Sequence, residues 1–218
     1  YECWLGPAPK RSYNPNRSHF TYRYFWDYSG GYFIDFWCHY ADVAYWALDL
    51  KAPKTVSAAG GRWMADDNAE TPDVLEVTYE YPGVLLTWTL HPRGRPGYDH
   101  MGSCVIFEGS EATLVTNYTQ HEVWVKGKKV EDFKRPDPTI PDSPGHVREF
   151  LDSIKSRKLT TCNIGYGFQL TKGGLLGNIA FRSGDRIAWD DAKEKVIGNA
   201  RAQKLVTRIY RKPWKLTV

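Results

Sequence analysis

The chain has 218 residues, enough for one good core or one large sheet with flanking helices. A hydrophobic content of 42% and an aromatic content of 15% exclude a disordered chain, and a net charge of +4 does not by itself mark a nucleic-acid binder. The four cysteines show no CxxC or Cys/His ligand spacing, so no metal site is expected, and no apolar run is long enough to span a membrane.

Residues 1–25 are rich in Pro, Asn, Arg and aromatic side chains and read as an extended entry arm. The chain opens on Tyr1 rather than Met, so it is expected to belong to a longer protein, and its compartment stays open. Asp27-Tyr28-Ser29-Gly30-Gly31 follows, and its two glycines let a turn feed directly into a helix over 32–48. Asp35 and His39 are four apart, and His39 and Asp42 are three apart, so all three share one stripe of that helix. Ile34, Cys38, Ala41, Tyr45 and Leu48 form a second stripe; Phe36, Tyr40, Val43 and Ala47 form a third. A helix apolar around most of its circumference is expected to be buried, with Cys38 in the core. Two carboxylates beside an imidazole on such a helix fit the wall of a cleft, where a carboxylate tunes a histidine for proton transfer. The same spacing fits a hydrogen-bonded core cluster, and spacing alone leaves both readings open.

Lys51-Ala52-Pro53 ends the helix, and 55–63 reads as a strand. Leu75, Val77 and Tyr79 alternate with polar residues, Tyr81-Pro82-Gly83 turns, and Val84 to Leu90 continues the alternation as the second arm of a hairpin. Pro92 to Gly97 is a basic loop. Two more hairpins are predicted, over 103–116 and 121–133, then a proline-rich linker over 135–145. Ser143 is placed to cap a helix whose apolar face is Phe150, Leu151 and Ile154. A helix over 167–182 carries Gly173, Gly174, Gly177 and Ala180 for close packing, and a last helix is predicted over 193–202. Hairpins in the middle with helices at both ends predict an α+β fold: a large, mostly antiparallel open sheet with helices packed on one face.

A dinucleotide site needs GxGxxG between a strand and a helix, so that backbone amides face the pyrophosphate. Gly165-Tyr166-Gly167 and Gly173-Gly174-Leu175-Leu176-Gly177 lack that pattern and read as helix entry and packing. His19 lies near the Asp27–Gly31 turn and could line the same cleft, and Asn117-Tyr118-Thr119 is a formal glycosylation sequon. The late basic residues from Lys193 to Lys215 are interrupted by Glu194 and preceded by Asp190 and Asp191, so they read as a solvated helix face and not a nucleic-acid surface.

The run Trp26-Asp27-Tyr28-Ser29-Gly30-Gly31, followed by Asp35, His39, Asp42 and Trp46, resembles a signature of the glucose-fructose oxidoreductase / inositol dehydrogenase (Gfo/Idh/MocA) family. Trp4 to Pro9, Phe107-Glu108-Gly109, Ile187 to Asp190 and Tyr210 to Trp214 are similar to a bacterial branch of it. The resemblance implies a single C-terminal domain over 1–218, with an N-terminal Rossmann domain outside this chain that binds NAD or NADP. It implies that Asp35 and His39 are the catalytic Asp/His pair, and that the family's catalytic lysine comes from the other domain. It also implies a sugar-like substrate, and Tyr28, Asp27, Arg23 and Asp42 are candidates to bind its hydroxyls. Family members include enzymes that use transient oxidation to cleave glycosidic bonds. A non-catalytic oligomerisation or carbohydrate-binding module is the alternative. An uncovered, aromatic-rich sheet face is expected to pair with a second copy, with Trp88, Thr87 or Thr89 at the contact.

Overall fold

A computed structural model describes residues 1–92 and 101–216. In chain order the elements are α1 (Glu2–Leu5), α2 (Gly31–Leu48), β1 (Thr55–Gly61), β2 (Val74–Tyr81), β3 (Val84–Leu90), β4 (Val105–Glu108), β5 (Thr113–Thr116), β6 (His121–Val125), β7 (Lys128–Lys129), α3 (His146–Ser156), α4 (Ile164–Ser183), β8 (Ile187–Asp190), β9 (Lys195–Ile197) and α5 (Ala200–Gln203). Two short 3-10 turns, Pro15–Arg17 and Thr21–Tyr24, lie in the entry arm. The fold is α+β with open antiparallel sheets, and its strands divide between two of them. The chain forms two compact units, Tyr1–Asp99 with Leu170–Val218, and His100–Gln169.

The first unit holds a five-stranded sheet in the order β3-β2-β1-β8-β9. Alternation along β2 buries Leu75, Val77, Tyr79 and Tyr81 and turns Glu76, Thr78 and Glu80 to the other face. Helices α2 and α4 cover the apolar face. Trp37 of α2 meets the Tyr79 ring at 5.0 Å and the Trp88 ring at 5.4 Å. Gly173, Gly174 and Gly177 bring α4 against Tyr45, Trp37, Phe33 and Tyr79, where any side chain would overlap these rings. The expected aromatic-rich open face is therefore the covered one. Large rings contribute most when removed from water, so they lie under the helices, and Thr78, Thr87, Thr89 and Leu85 are left outside.

The C-terminal prediction needs correction. A helix over 193–202 is replaced by the β8–β9 hairpin and the four-residue α5. Buried Val196 between exposed Lys195 and Ile197 has the period of a strand. Beyond it, Arg211 donates to the backbone oxygens of Gly6 and Ala8 at 2.8 and 2.9 Å, tying the tail to the entry arm. The tail is thus a fastened segment and not a basic helix face.

The second unit holds a four-stranded antiparallel meander, β4-β5-β6-β7, with Val115 fully buried. Asn117 shapes its central turn: Oδ1 accepts the Thr119 and Gln120 amides, and Nδ2 donates to the Met101 carbonyl oxygen at 2.8 Å. That amide is committed to the turn, which argues against its use as a glycan acceptor. Ser143 does not cap α3. Gly145 occupies that position, and the Ser143 hydroxyl accepts the Gly145 amide, too early in the chain to reach the helix. Phe150, Leu151 and Ile154 line up on α3 as their spacing predicts, and all three are exposed. Most of the 92–97 loop lies outside the described residues.

Candidate active site

Helix α2 begins where two glycines are required. Gly31 has φ +77°, and a Cβ there would lie 2.5 Å from the Thr71 hydroxyl oxygen. Asn178 of α4 donates to the Gly30 carbonyl oxygen at 3.1 Å and fixes the entry to the helix. The helix ends at Asp49 in the left-handed conformation. Between these ends Phe33, Trp37, Ala41, Ala44 and Tyr45 are buried, and the Trp37 indole N–H donates to the Leu170 carbonyl oxygen at 2.7 Å. Of the expected core stripe, Ala41 and Tyr45 are buried, Ile34 is half-buried, and Cys38 and Leu48 are exposed; Phe33 and Trp37 take the inward places in the first half of the helix. Phe33 and Trp37 bury more area than Ile34 and Cys38, so the helix is turned to put them inside while Ala41 and Tyr45 stay in the core. Cys38 is consequently exposed, not a core residue.

That rotation decides what faces outward. Asp35 and Asp42 become half-buried, and His39 and Trp46 are exposed, along one stripe of α2. The Asp35 carboxylate is held from outside the helix. Arg23, on the second 3-10 turn, donates from Nη1 to Asp35 Oδ2 at 2.5 Å. Arg23 Nε donates to the Phe20 carbonyl oxygen at 3.1 Å, and the guanidinium lies 3.9 Å from the centre of the Phe20 ring. The turn is itself anchored, because the Tyr24 carbonyl oxygen accepts the Glu70 and Thr71 amides at 2.8 and 3.1 Å.

An aromatic row accompanies these groups. Tyr24 stacks on Tyr32, Tyr32 on Phe36 and Phe36 on Tyr40, with centroid separations of 5.5, 5.4 and 6.3 Å. His39 sits 6.0 Å from Phe36. Burial, reinforced by the Tyr32 hydroxyl, pushes the Tyr24 phenol up to about 12, so it stays a hydrogen-bond donor. Sequence reasoning did not single out Tyr24, Tyr32 or Phe20. The i, i+4 spacing of Tyr32, Phe36 and Tyr40 was the available signal.

Asp27 and Tyr28 engage other partners. Asp27 Oδ2 accepts from Arg11 Nε at 2.8 Å, and its backbone oxygen accepts from Arg208 at 2.9 Å. The Tyr28 hydroxyl is buried with no hydrogen-bond partner among the described residues, and burial raises its pKa. Arg23, Asp35, His39 and Asp42 thus share the neighbourhood of the outward face of α2, whereas Asp27 and Tyr28 belong to an arginine-rich turn below its start. His19 is exposed and in a left-handed conformation.

Gly165-Tyr166-Gly167, the nearest approach to a dinucleotide fingerprint, does not form a pyrophosphate cradle. Gly165 and Gly167 lie in the first turn of α4, and Asn163 Oδ1 already accepts the Gly165 and Tyr166 amides. No strand leads into that helix among the described residues. Nor is any group of three His, Cys, Asp or Glu side chains placed to hold a metal ion among the described residues, and no helix there is long and apolar enough to cross a membrane. Two open depressions, of about 340 and 380 Å³, lie in the second unit and include none of the six candidate residues.

Comparison with known proteins places these features. The profile of the "oxidoreductase family, C-terminal alpha/beta domain" (Gfo/Idh/MocA) matches residues 1–216. No curated protein matches the chain. Among solved structures, it is similar to an oxidoreductase from Agrobacterium radiobacter in complex with NAD+, L-tartaric acid and magnesium, at 13% identity and a TM-score of 0.47 over 67% of this chain and 46% of that one. It is similar to a putative oxidoreductase from Thermotoga maritima, at 14% identity and a TM-score of 0.49 over 67% and 43%. A third is the putative oxidoreductase yvaA from Bacillus subtilis, at 13% identity and a TM-score of 0.44 over 69% and 50%. The alignments span half or less of each of these structures. With its profile matched almost end to end, the chain belongs to the Gfo/Idh/MocA oxidoreductase family, as a C-terminal domain.

Proposed function

We propose that the chain is the substrate-side domain of an NAD(P)-dependent oxidoreductase acting on a CH–OH group of a sugar, glycoside or polyol. The carrying observation is the Asp35/His39 pair at helical spacing on the outward face of α2, with Asp35 gripped by Arg23. In this reading His39 takes the hydroxyl proton, Asp35 orients the hydroxyl, and Asp42, about one turn beyond His39, accepts from a neighbouring hydroxyl. Nicotinamide supplies the hydride acceptor when bound by a cofactor domain outside these residues. The single-domain organisation of residues 1–218 is part of the same proposal. So is a homo-oligomer through the uncovered sheet face.

The test is reduction of NAD+ or NADP+, followed at 340 nm across a panel of polyols and glycosides, in the protein that carries this chain with its cofactor domain. The variant His39→Ala is expected to lose about 10²-fold or more in kcat. Equal turnover by wild type and His39→Ala would remove the catalytic assignment. The second reading is a non-catalytic carbohydrate-binding or oligomerisation module. Glycoside binding with no nicotinamide reduction by any panel member would establish it.

A further inference from the structure

Arg23 entered as a candidate for binding substrate hydroxyls, yet two of its three nitrogens already donate within the protein. Nε is bonded to the Phe20 carbonyl oxygen, Nη1 to Asp35 Oδ2, and one face of the guanidinium is covered by the Phe20 ring. The 3-10 turn that carries it is bonded to the backbone at 70–71. Arginine suits this arrangement because its rigid fork can hold a backbone oxygen and a carboxylate at once while stacking on a ring; a lysine ammonium cannot. Asp35 is held by one oxygen only. Its Oδ1 accepts no hydrogen bond among the described residues, and the carboxylate remains 38% exposed.

We propose that Arg23 is a positioning residue: it clamps Asp35 Oδ2 so that Oδ1 is presented beside His39 to the reacting hydroxyl. This rests on the assignment of Asp35 and His39 above. A carboxylate on a free rotamer would sample several orientations, and Phe20 and Arg23 reduce these to one. Charge alone is insufficient, because the clamp depends on the planar fork.

The experiment has two arms on the protein carrying this chain with its cofactor domain, labelled with 15N-arginine. The first arm reads the Arg23 Nη1–Hη resonance, which a lasting charge-assisted bond to Asp35 shifts and protects from exchange. Asp35→Asn is expected to move that resonance and speed its exchange. A resonance unchanged in Asp35→Asn overturns the clamp whatever the enzyme does. The second arm is kinetic. Both Arg23→Lys and Arg23→Gln are expected to lower kcat on the order of 10²-fold, as misplacement of a reacting group does, with KM within about threefold of wild type. A raised KM with kcat preserved would overturn the proposal in favour of direct substrate binding. Rescue of kcat by Arg23→Lys would also overturn it, since charge would then suffice. An unchanged melting temperature in Arg23→Lys separates these outcomes from loss of fold. If no substrate is turned over and His39→Ala changes nothing, the functional assignment fails by itself, and the resonance arm still decides whether the clamp exists.

Discussion

Tyr45 and Tyr81 exchange a hydrogen bond of 2.6 Å beneath α2, and both phenols are buried. Burial pushes Tyr45 up to about 12 even though the bond from Tyr81 pulls the other way, and burial raises Tyr81 and the fully enclosed Tyr79 further. An unfolded tyrosine loses its proton near 10. The folded values lie higher, so the stabilisation is complete below pH 10 and is lost as pH rises through the folded values. Urea unfolding at stepped pH should show the midpoint falling from pH 10 towards 12, before the buried phenols ionise in the native state. In Tyr45→Phe the fall should be shallower, and about 1 kcal/mol of stability should be missing at pH 8, from the lost bond. Asp73 gives the acid-side counterpart. Burial pushes its carboxyl up, but the Trp63, Met64 and Ala65 amides outweigh this and hold it below the usual range. Its contribution is present above the ordinary carboxylate pKa near 4 and is lost as pH falls through the depressed value. Asp73→Asn should reduce stability at pH 7 by about 1–3 kcal/mol and flatten the acid limb of the same titration.

At the level of elements, α4 separates two kinds of glycine. Gly173 and Gly177 have Tyr45, Tyr79 and Phe33 where a Cβ would go, whereas nothing lies within 4 Å of a Cβ at Gly167. Gly167→Ala should therefore stabilise by roughly 0.5–1 kcal/mol, through helix propensity. Gly173→Ala and Gly177→Ala should destabilise by about 1–3 kcal/mol despite the same propensity gain, because the rings must shift. Thermal melts of the three variants test this, and equal shifts of one sign would contradict the packing. The small-residue spacing of α4 was legible in the sequence, as were α2 and the β2–β3 hairpin, whose periodicities are long and clean. The inward placing of Phe33 and Trp37 in the first half of α2 was not, because Ile34/Cys38 and Phe33/Trp37 are both apolar and only the sheet beneath chooses between them. The β8–β9 hairpin was missed because its second strand is only Lys195-Val196-Ile197, whose polar-apolar-apolar order does not alternate in sequence although its burial does. In the site, the spacing of Asp35 and His39 was readable from the helix. The bond from Arg23 depends on how a 3-10 turn crosses the start of that helix, and no spacing rule encodes it.

For the molecule as a whole, the uncovered face of the five-stranded sheet carries the remaining prediction. Glu76, Thr78 and Glu80 on β2 and Leu85, Thr87 and Thr89 on β3 lie there. Arg186 neutralises Glu80, and Thr89 donates to Glu76, each at 2.7 Å. Short hydroxyl side chains let a second sheet approach closely, and Leu85, 65% exposed, supplies an apolar anchor at the edge strand. A two-fold dimer through this face would use each residue twice. Light scattering at tens of micromolar is expected to give twice the protomer mass. Leu85→Arg and Thr87→Arg, which place a charge in the contact, should give the protomer mass with the fold retained by circular dichroism. A strict monomer in the wild type, or a dimer indifferent to both substitutions, would rule out this face. A contact burying less than about 1,000 Å² would be too small for a specific interface. Because α2 lies on the opposite side of the sheet, such a dimer leaves Asp35 and His39 accessible, so the two arginine variants should change mass without changing kcat.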